Sequence, residues 1–269
     1  MASPPWLVAT VPAGYRLLVH DTLDGTNAEA KRLAASGAAA GTVVVARTQA
    51  AGRGRHGRAW VSPPGNLYMS LLLRPDGDAA AAAQISFLAA LAVHDVVAAL
   101  APAAAPLLKW PNDVLVDGAK ISGILLESAA DGRGGVTWAV IGIGLNLVHH
   151  PHDQARPATS LAALGRTGVE PAAALELLVA RLDHWLGCWR RDGFAALRAA
   201  WLERSIPRGA PIAVRLGKTR IEGRFADLDP DGALIVELSD GRRQRIDAGD
   251  VFLPSLNGEP GNAARDQRQ

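Results

Sequence analysis

The sequence predicts an α+β fold, with a larger unit built on a mixed sheet and a small all-β unit behind it. Three observations predict it. β-Branched runs such as Thr42-Val43-Val44-Val45 alternate with segments whose apolar residues recur at helical spacing. A long amphipathic helix follows Pro171, with Leu175, Leu178, Val179, Leu182, Trp185 and Trp189 on one face. After Pro207-Arg208-Gly209 the chain turns into short strands separated by Asp231-Gly232 and Asp240-Gly241.

In chain order, residues 1 to 14 carry several prolines and no periodicity and are expected to be a loose lead-in. Tyr15 to His20 reads as a first strand and Asp21 to Gly25 as a turn. Asp24 or Thr26 is expected to cap a helix that stops at Gly37. Thr42 to Arg47 is a strand by β-branching, and Leu67 to Leu73 another, ended by Pro75-Asp76-Gly77. Residues 79 to 101 keep Ile85, Leu88, Ala92 and Val96 on one helical face. Leu107 to Trp110 and Val114 to Val116 are short strands around a proline. Asp117-Gly118 is a hairpin turn into Ile121 to Glu127, and Asp131 to Gly135 leads into Val136 to Ile143. Residues 146 to 160 hold three histidines and two prolines without periodicity and read as a loop. Phe194 to Leu202 is a second helix after the long one. The last strands are Ile212 to Leu216, Arg220 to Leu228, Leu234 to Leu238 and Arg243 to Ile246. This divides the chain into 1–205, a β unit over 206–256, and a polar, Gly-containing tail over 257–269 expected to be disordered.

Composition narrows the classes. Of the 269 residues 49% are apolar and 20% charged, the balance of a soluble globular chain. The formal net charge of +2 gives no general affinity for nucleic acid. One cysteine, Cys188, excludes an intrachain disulfide, and its apolar helical setting makes it core filler. The N-terminus has no signal-peptide pattern, and no apolar run is judged to approach the length of a membrane span. The expected compartment is the cytoplasm.

The chemistry concentrates in Gln49-Ala50-Ala51-Gly52-Arg53-Gly54-Arg55-His56-Gly57-Arg58-Ala59-Trp60, directly after a strand. Glycines let backbone N–H groups approach a ligand, and arginines present a forked, permanently charged donor array that matches carboxylate or phosphate. The bland alternative is a solvated surface loop. A second stretch is Lys109-Trp110-Pro111-Asn112-Asp113 with Lys120-Ile121-Ser122-Gly123-Ile124-Leu125, where the proline bends the strand end beside a lysine. A third, Gly142-Ile143-Gly144-Leu145-Asn146, permits close approach to a buried strand, or else marks tight sheet packing.

Together and in this order, with Asp24-Gly25-Thr26-Asn27, these motifs resemble the biotin–protein ligases, over about residues 15 to 255. The resemblance implies a class II aminoacyl-tRNA-synthetase-like catalytic domain, a mixed sheet flanked by helices, and an SH3-like C-terminal β-barrel. It implies that ATP, with Mg²⁺, and biotin form biotinyl-5′-AMP and pyrophosphate. A lysine of the biotin carboxyl carrier domain of acetyl-CoA carboxylase or a related biotin enzyme then takes the biotinyl group and AMP leaves. No side-chain nucleophile and no tightly bound prosthetic group are implied.

By position, the resemblance makes Lys109 and Arg55 the catalytic residues, with Lys109 bridging the biotin carboxylate and the α-phosphate. It assigns biotin to Gly25, Thr26, Asn27, Gln49, Gly52, Arg53, Gly54, Arg55, Lys109, Ser122 and Gly123, with Lys120 flanking the pocket. It assigns the adenylate to Arg53, Arg55, Arg58, Trp60, Lys109, Asn112 and Asn146. The resemblance implies that Mg²⁺ is carried mainly by the ATP phosphates, with Asp113 a candidate protein ligand and Asn112 and Asn146 candidates for adenylate or metal-ion contacts. Position 25 departs from the family, which usually has serine there, and weaker biotin binding is expected. The loop Val148 to Ser160 falls where the family has its adenine-side loop, and His149, His150 and His152 are read as solvated rather than metal-binding.

About fifteen residues precede the first strand, too few for a helix-turn-helix, so no DNA binding and no repressor role are expected. No membrane partner is expected, and the chain is a monomer or a homodimer. Two rivals stay open on the sequence. A lipoate or octanoate ligase or transferase shares the fold but would need no partners for a ureido ring. A non-catalytic nucleic-acid-binding module would need more aromatic stacking surface than this chain offers.

Overall fold

In the computed structural model, residues 6–152 and 157–253 are described. The chain runs through β1 (Arg16–Leu23), α1 (Thr26–Ala35), β2 (Thr42–Gln49), β3 (Leu67–Leu73), α2 (Ala79–Leu100), β4 (Leu107–Lys109), β5 (Asp113–Val116), β6 (Ala119–Ala130), β7 (Val136–Leu145) and α3 (Pro171–Glu203). Then come β8 (Pro211–Leu216), β9 (Thr219–Leu228), β10 (Leu234–Glu237), β11 (Arg243–Ile246) and β12 (Asp250–Phe252). One sheet has seven strands in the order β1-β2-β3-β7-β6-β5-β4, and the other five in the order β11-β10-β9-β8-β12. Only β1 and β2 pair in parallel, so the first sheet is mixed; the second is antiparallel throughout.

The period-2 alternation of the strands sorts the larger sheet into two faces. Val43 and Val45, Met69 and Leu71, and Ile141 and Ile143 join α2 and α3 in the main core. Val44, Leu72 and Val140 point the other way and pack on Ala30 and Ala34 of α1. Beyond α1, that second face carries Gly123, Gly142 and Gly144 and remains open for a ligand.

Several expectations change. β1 runs on to Leu23 because its parallel register with β2 continues to Leu23↔Gln49, so only Asp24-Gly25 turns. Neither Asp24 nor Thr26 caps α1: Gly25 occupies the N-cap position without a side-chain bond, and Asp24 pairs with Arg32 instead. The lead-in is anchored where it is described, with Leu7 fully buried in the core and the Thr10 amide donating to Glu176 at 2.6 Å. β12 is too short to show an alternating pattern and escaped the sequence. α3 is interrupted at Gly193, whose φ of 70° separates the two expected helices. α2 is, by length and composition alone, apolar enough to cross a bilayer, contrary to expectation; it is a core helix, more than half buried and packed against α3. Cys188 is half-buried at the edge of the core. The expected disordered tail, 257–269, lies outside the described residues.

Candidate active site

A cavity of about 830 Å³ opens on the α1 side of the larger sheet. Its floor is glycine by necessity. Gly123 and Gly144 face each other across β6 and β7, and the Trp60 indole lies on the pair. A Cβ on Gly144 would come 2.5 Å from Trp60 Cε2, and one on Gly123 3.0 Å from Cζ3. One strand pitch further along, Gly142 makes room for the Asn27 carboxamide, which a Cβ there would strike. The alternating glycines therefore serve close approach by side chains from α1 and the Gly/Arg segment, one of the two outcomes the sequence left open.

At one end of the cavity a polar hydrogen-bond network is assembled, edged by one ion pair. Gln49 Oε1 accepts from the Thr26 amide at 2.9 Å, and Gln49 Nε2 donates to Ser62 Oγ at 2.9 Å. The fully buried Ser70 hydroxyl lies 2.7 Å from Thr26 Oγ1 and 2.6 Å from Asn27 Oδ1. Asn27 Nδ2 donates to Glu127 Oε2 at 2.8 Å, and Glu127 also pairs with Lys31. These bonds lock donors and acceptors in place before any ligand arrives, as recognition of a small polar ring requires.

The other end is cationic. Asp113 lies between two lysines: Lys109 Nζ is 2.8 Å from Oδ2, and Lys120 Nζ is 2.5 Å from Oδ1, a contact outside hydrogen-bond geometry. Burial opposes ionisation of Asp113, but the Lys120 and Lys109 charges outweigh it and hold its carboxyl well below the usual carboxylate range. Lys109 also donates to the Val251 carbonyl at 3.0 Å. Lys120 is the more accessible of the two and stands over the Trp60 ring, 5.4 Å from its centroid. Asn112 donates to Ile124 O at 2.6 Å and presents Oδ1 to Arg55 at 3.5 Å.

The Gly/Arg segment is a flap closed on itself. The Gly54 amide donates to Arg58 O, the Trp60 amide donates to Gly52 O, and the chain turns at His56 and Gly57, both with positive φ. Two of its three arginines, Arg55 and Arg58, are directed at β12. Arg58 bonds Asp250 Oδ2, Arg55 lies 3.6 Å from Oδ1, and Arg55 also donates to Gly249 O at 3.1 Å. Burial pushes the Arg55 guanidinium below its ordinary value while Asp250 and Asp113 pull it back up. It remains a cation.

Most of the residues expected from the sequence line this cavity: Gly25, Thr26, Asn27, Gln49, Arg53, Gly54, Arg55, Arg58, Trp60, Lys109, Asn112, Asp113, Lys120, Gly123 and Asn146. Gly52 and Ser122 do not. Gly52 is packed behind the flap against Trp60 O and Ser62, and Ser122 is fully buried, donating to Gly144 O at 2.7 Å. Asn146 is a clamp as much as a contact, since its Nδ2 donates to Thr159 O at 2.9 Å and holds the 157–161 segment near Lys120. Asp113 does not fit a divalent cation, because both oxygens already face ammonium groups. His150 meets Ser160 Oγ at 3.1 Å, and the described residues contain no cluster of three or more acidic, histidine or cysteine side chains disposed for a metal.

Sequence reasoning missed Ser70, Glu127 and the β12 wall formed by Asp250, Val251 and Phe252. Ser70 was hidden in an apolar strand. Its period-2 position opposite Gly142 is the signal that could have found it. Nothing in the sequence singles out Asp250 among its neighbouring acids.

Two family models match the sequence. One, described as the biotin/lipoate A/B protein ligase family, covers residues 20–146, and the other, the biotin protein ligase C terminal domain, covers residues 209–253. The chain is 46% identical over 236 residues to a biotin–[acetyl-CoA-carboxylase] ligase of Paracoccus denitrificans, spanning 86% of this chain and 97% of that protein. It is 37% identical over 246 residues to the Mycobacterium tuberculosis ligase of the same name, spanning 89% and 90%. Among solved structures, the biotin protein ligase from Aquifex aeolicus in complex with biotin and ATP matches with a TM-score of 0.74 at 26% identity, covering 88% of this chain and 97% of that one.

Proposed function

The chain belongs to the biotin–protein ligase family, and on that premise we propose that it is an ATP-dependent biotin–[acetyl-CoA-carboxylase] ligase whose two cavity ends divide the reaction. Biotin is activated as biotinyl-5′-AMP, and the biotinyl group passes to a lysine of a biotin carboxyl carrier domain. Of the two acyl classes that the first family model spans, the C-terminal match and the named relatives favour biotin over lipoate.

We assign the Thr26–Gln49 end to the ureido ring of biotin and the Arg55–Lys109–Lys120 end to the anions. A biotin carboxylate oxygen attacks the α-phosphorus of ATP and the bond to pyrophosphate breaks. Two anions must meet for this, and the fixed ammonium groups screen their repulsion and stabilise charge developing at phosphorus. The sequence ranked Lys109 first. The geometry favours sharing that role with Lys120: both lysines face Asp113, but Lys120 is more accessible and borders the cavity floor, while Lys109 also donates to Val251 O. Trp60 lends an apolar face beside the acyl chain, and the closed flap excludes water from the anhydride. In the second step the carrier lysine, as the free amine, attacks the acyl carbon, AMP departs, and an amide forms with loss of one proton.

Mg²⁺ would be carried by the ATP phosphates and would help neutralise their charge, since both Asp113 oxygens already face lysines. We place the catalytic unit before residue 206 and the β unit after it, with β12 of that unit completing the pocket wall. The observation that carries the proposal is the convergence of Arg55, Lys109 and Lys120 at one end of a cavity whose other end is a hydrogen-bonded polar network in which Lys31 is paired with Glu127. Purified protein is given ATP, Mg²⁺ and a carrier domain with biotin, lipoate or octanoate, and the carrier is weighed by mass spectrometry. A biotin adduct on one lysine is expected; an unlabelled carrier, or preference for lipoate or octanoate, would refute it.

A further inference from the structure

Resting on the ligase function above, we propose that Asp250 is a positioning residue that latches the flap shut, so that the C-terminal sheet governs how long the adenylate is retained. Trp60 anchors one end of the flap on the sheet, and Asn112 faces Arg55 at 3.5 Å. The flap's backbone bonds close it on itself, and the positive-φ turn at His56 and Gly57 leaves Arg55 and Arg58 reaching towards β12. There one carboxylate gathers three cationic or protonatable groups. Arg58 bonds Oδ2, while Arg55 and His56 Nε2 each lie 3.6 Å from Oδ1. The two neighbouring carbonyls complete the hold, Gly249 O accepting from Arg55 and Val251 O from Lys109.

The Asp250 side chain is four-fifths enclosed, which strengthens such a contact relative to an exposed pair. Without its charge, Arg55 and Arg58 would face each other and the two lysines with only Asp113 to offset them, and the flap would be driven outward. The latch does not exclude ligand. A guanidinium has five N–H donors, so Arg55 can hold Asp250 and Gly249 O and still reach an incoming phosphate. An anhydride is hydrolysed or misdirected if released early, so retention is where a latch matters chemically.

The test is a double-mutant cycle on the full chain with Asp250→Asn, Arg58→Ala, both together, and Asp250→Glu. Preformed adenylate release is followed in single turnover, with labelling of a carrier domain set against labelling of serum albumin. Asp250→Asn and Arg58→Ala are each expected to speed release roughly tenfold and to shift label towards albumin, as loss of one partner of a hydrogen-bonded charge pair acts on the off-rate. The double variant is expected to be no worse than either single, and Asp250→Glu to stay near wild type. Wild-type release by Asp250→Asn, or a double variant equal to the product of the singles, would overturn the latch. If Asp250→Asn does not fold, Arg58→Ala against Arg58→Lys carries the same decision, with release faster in the first and restored in the second. Wild type that labels no carrier would instead refute the ligase function.

Discussion

Lys109 Nζ stands 2.8 Å from Asp113 Oδ2 although both side chains are largely enclosed. The carboxyl of Asp113 is held well below its ordinary range, so the pair stabilises the fold fully above the unfolded carboxyl value of about 3.9. That contribution fades only as pH falls below that value, towards the depressed folded one. Asp113→Asn is expected to cost about 3 kcal/mol between pH 5 and 8, because it leaves two enclosed ammonium groups without their counter-ion. Urea unfolding of both proteins across pH 3 to 8 checks this. The gap should narrow at the acid end, and a gap independent of pH would contradict the assignment.

Lys109→Ala and Lys120→Ala are each expected to slow biotin-dependent pyrophosphate release by about 10²-fold, the scale for removing one preorganised charge donor. Their double variant should fall short of the product, since both act at one cavity end and share Asp113 as counter-ion. Lys120→Ala with wild-type turnover would return the whole role to Lys109.

Gly144→Ala would drive a methyl to 2.5 Å from Trp60, so the ring lying on the sheet must shift. It is expected to lower stability by about 1–3 kcal/mol, as overpacking does, and to displace Trp60 from the cavity. Thermal melting with and without biotin reads both effects. An unchanged melt with a full biotin-induced rise would show that the ring is not confined.

Gly25→Ser is sterically free: an added Cβ has no neighbour nearer than 3.8 Å, and φ of −173° is ordinary extended backbone. A serine hydroxyl there would face the Thr26–Gln49 end and add about one hydrogen bond, roughly 0.5–1.5 kcal/mol of biotin affinity by isothermal titration. The same hydroxyl at the N-cap of α1 should add only a few tenths of a kcal/mol to unliganded stability, so the two effects separate. Equal affinity for both proteins would count against the expected serine contact.

What could be read in advance followed physical range. The flap and the Lys109–Asp113 stretch were legible because glycine, arginine and proline restrict the backbone or carry charge in ways a local pattern displays. The floor was half legible: the alternation of Gly142 and Gly144 announced close approach, but that Trp60 and Asn27 fill the space depends on β6 lying beside β7. The pairing of Asp250 with Arg58 was not legible, since it joins residues 192 apart through a three-residue strand. The capping of α1 was misread because Asp24, a good cap by type, is drawn to Arg32, about two turns on.

The cavity floor comes from β6 and β7, whereas its last wall is β12. A growing polypeptide emerging from the ribosome would therefore present an open bowl, able to touch both small molecules but not to keep a reactive product. Competence would begin only once the closing rim has been translated and docked. A protease that nicked the chain beyond α3 would undo it by the same geometry, turning a guarded acyl donor into a leaking one.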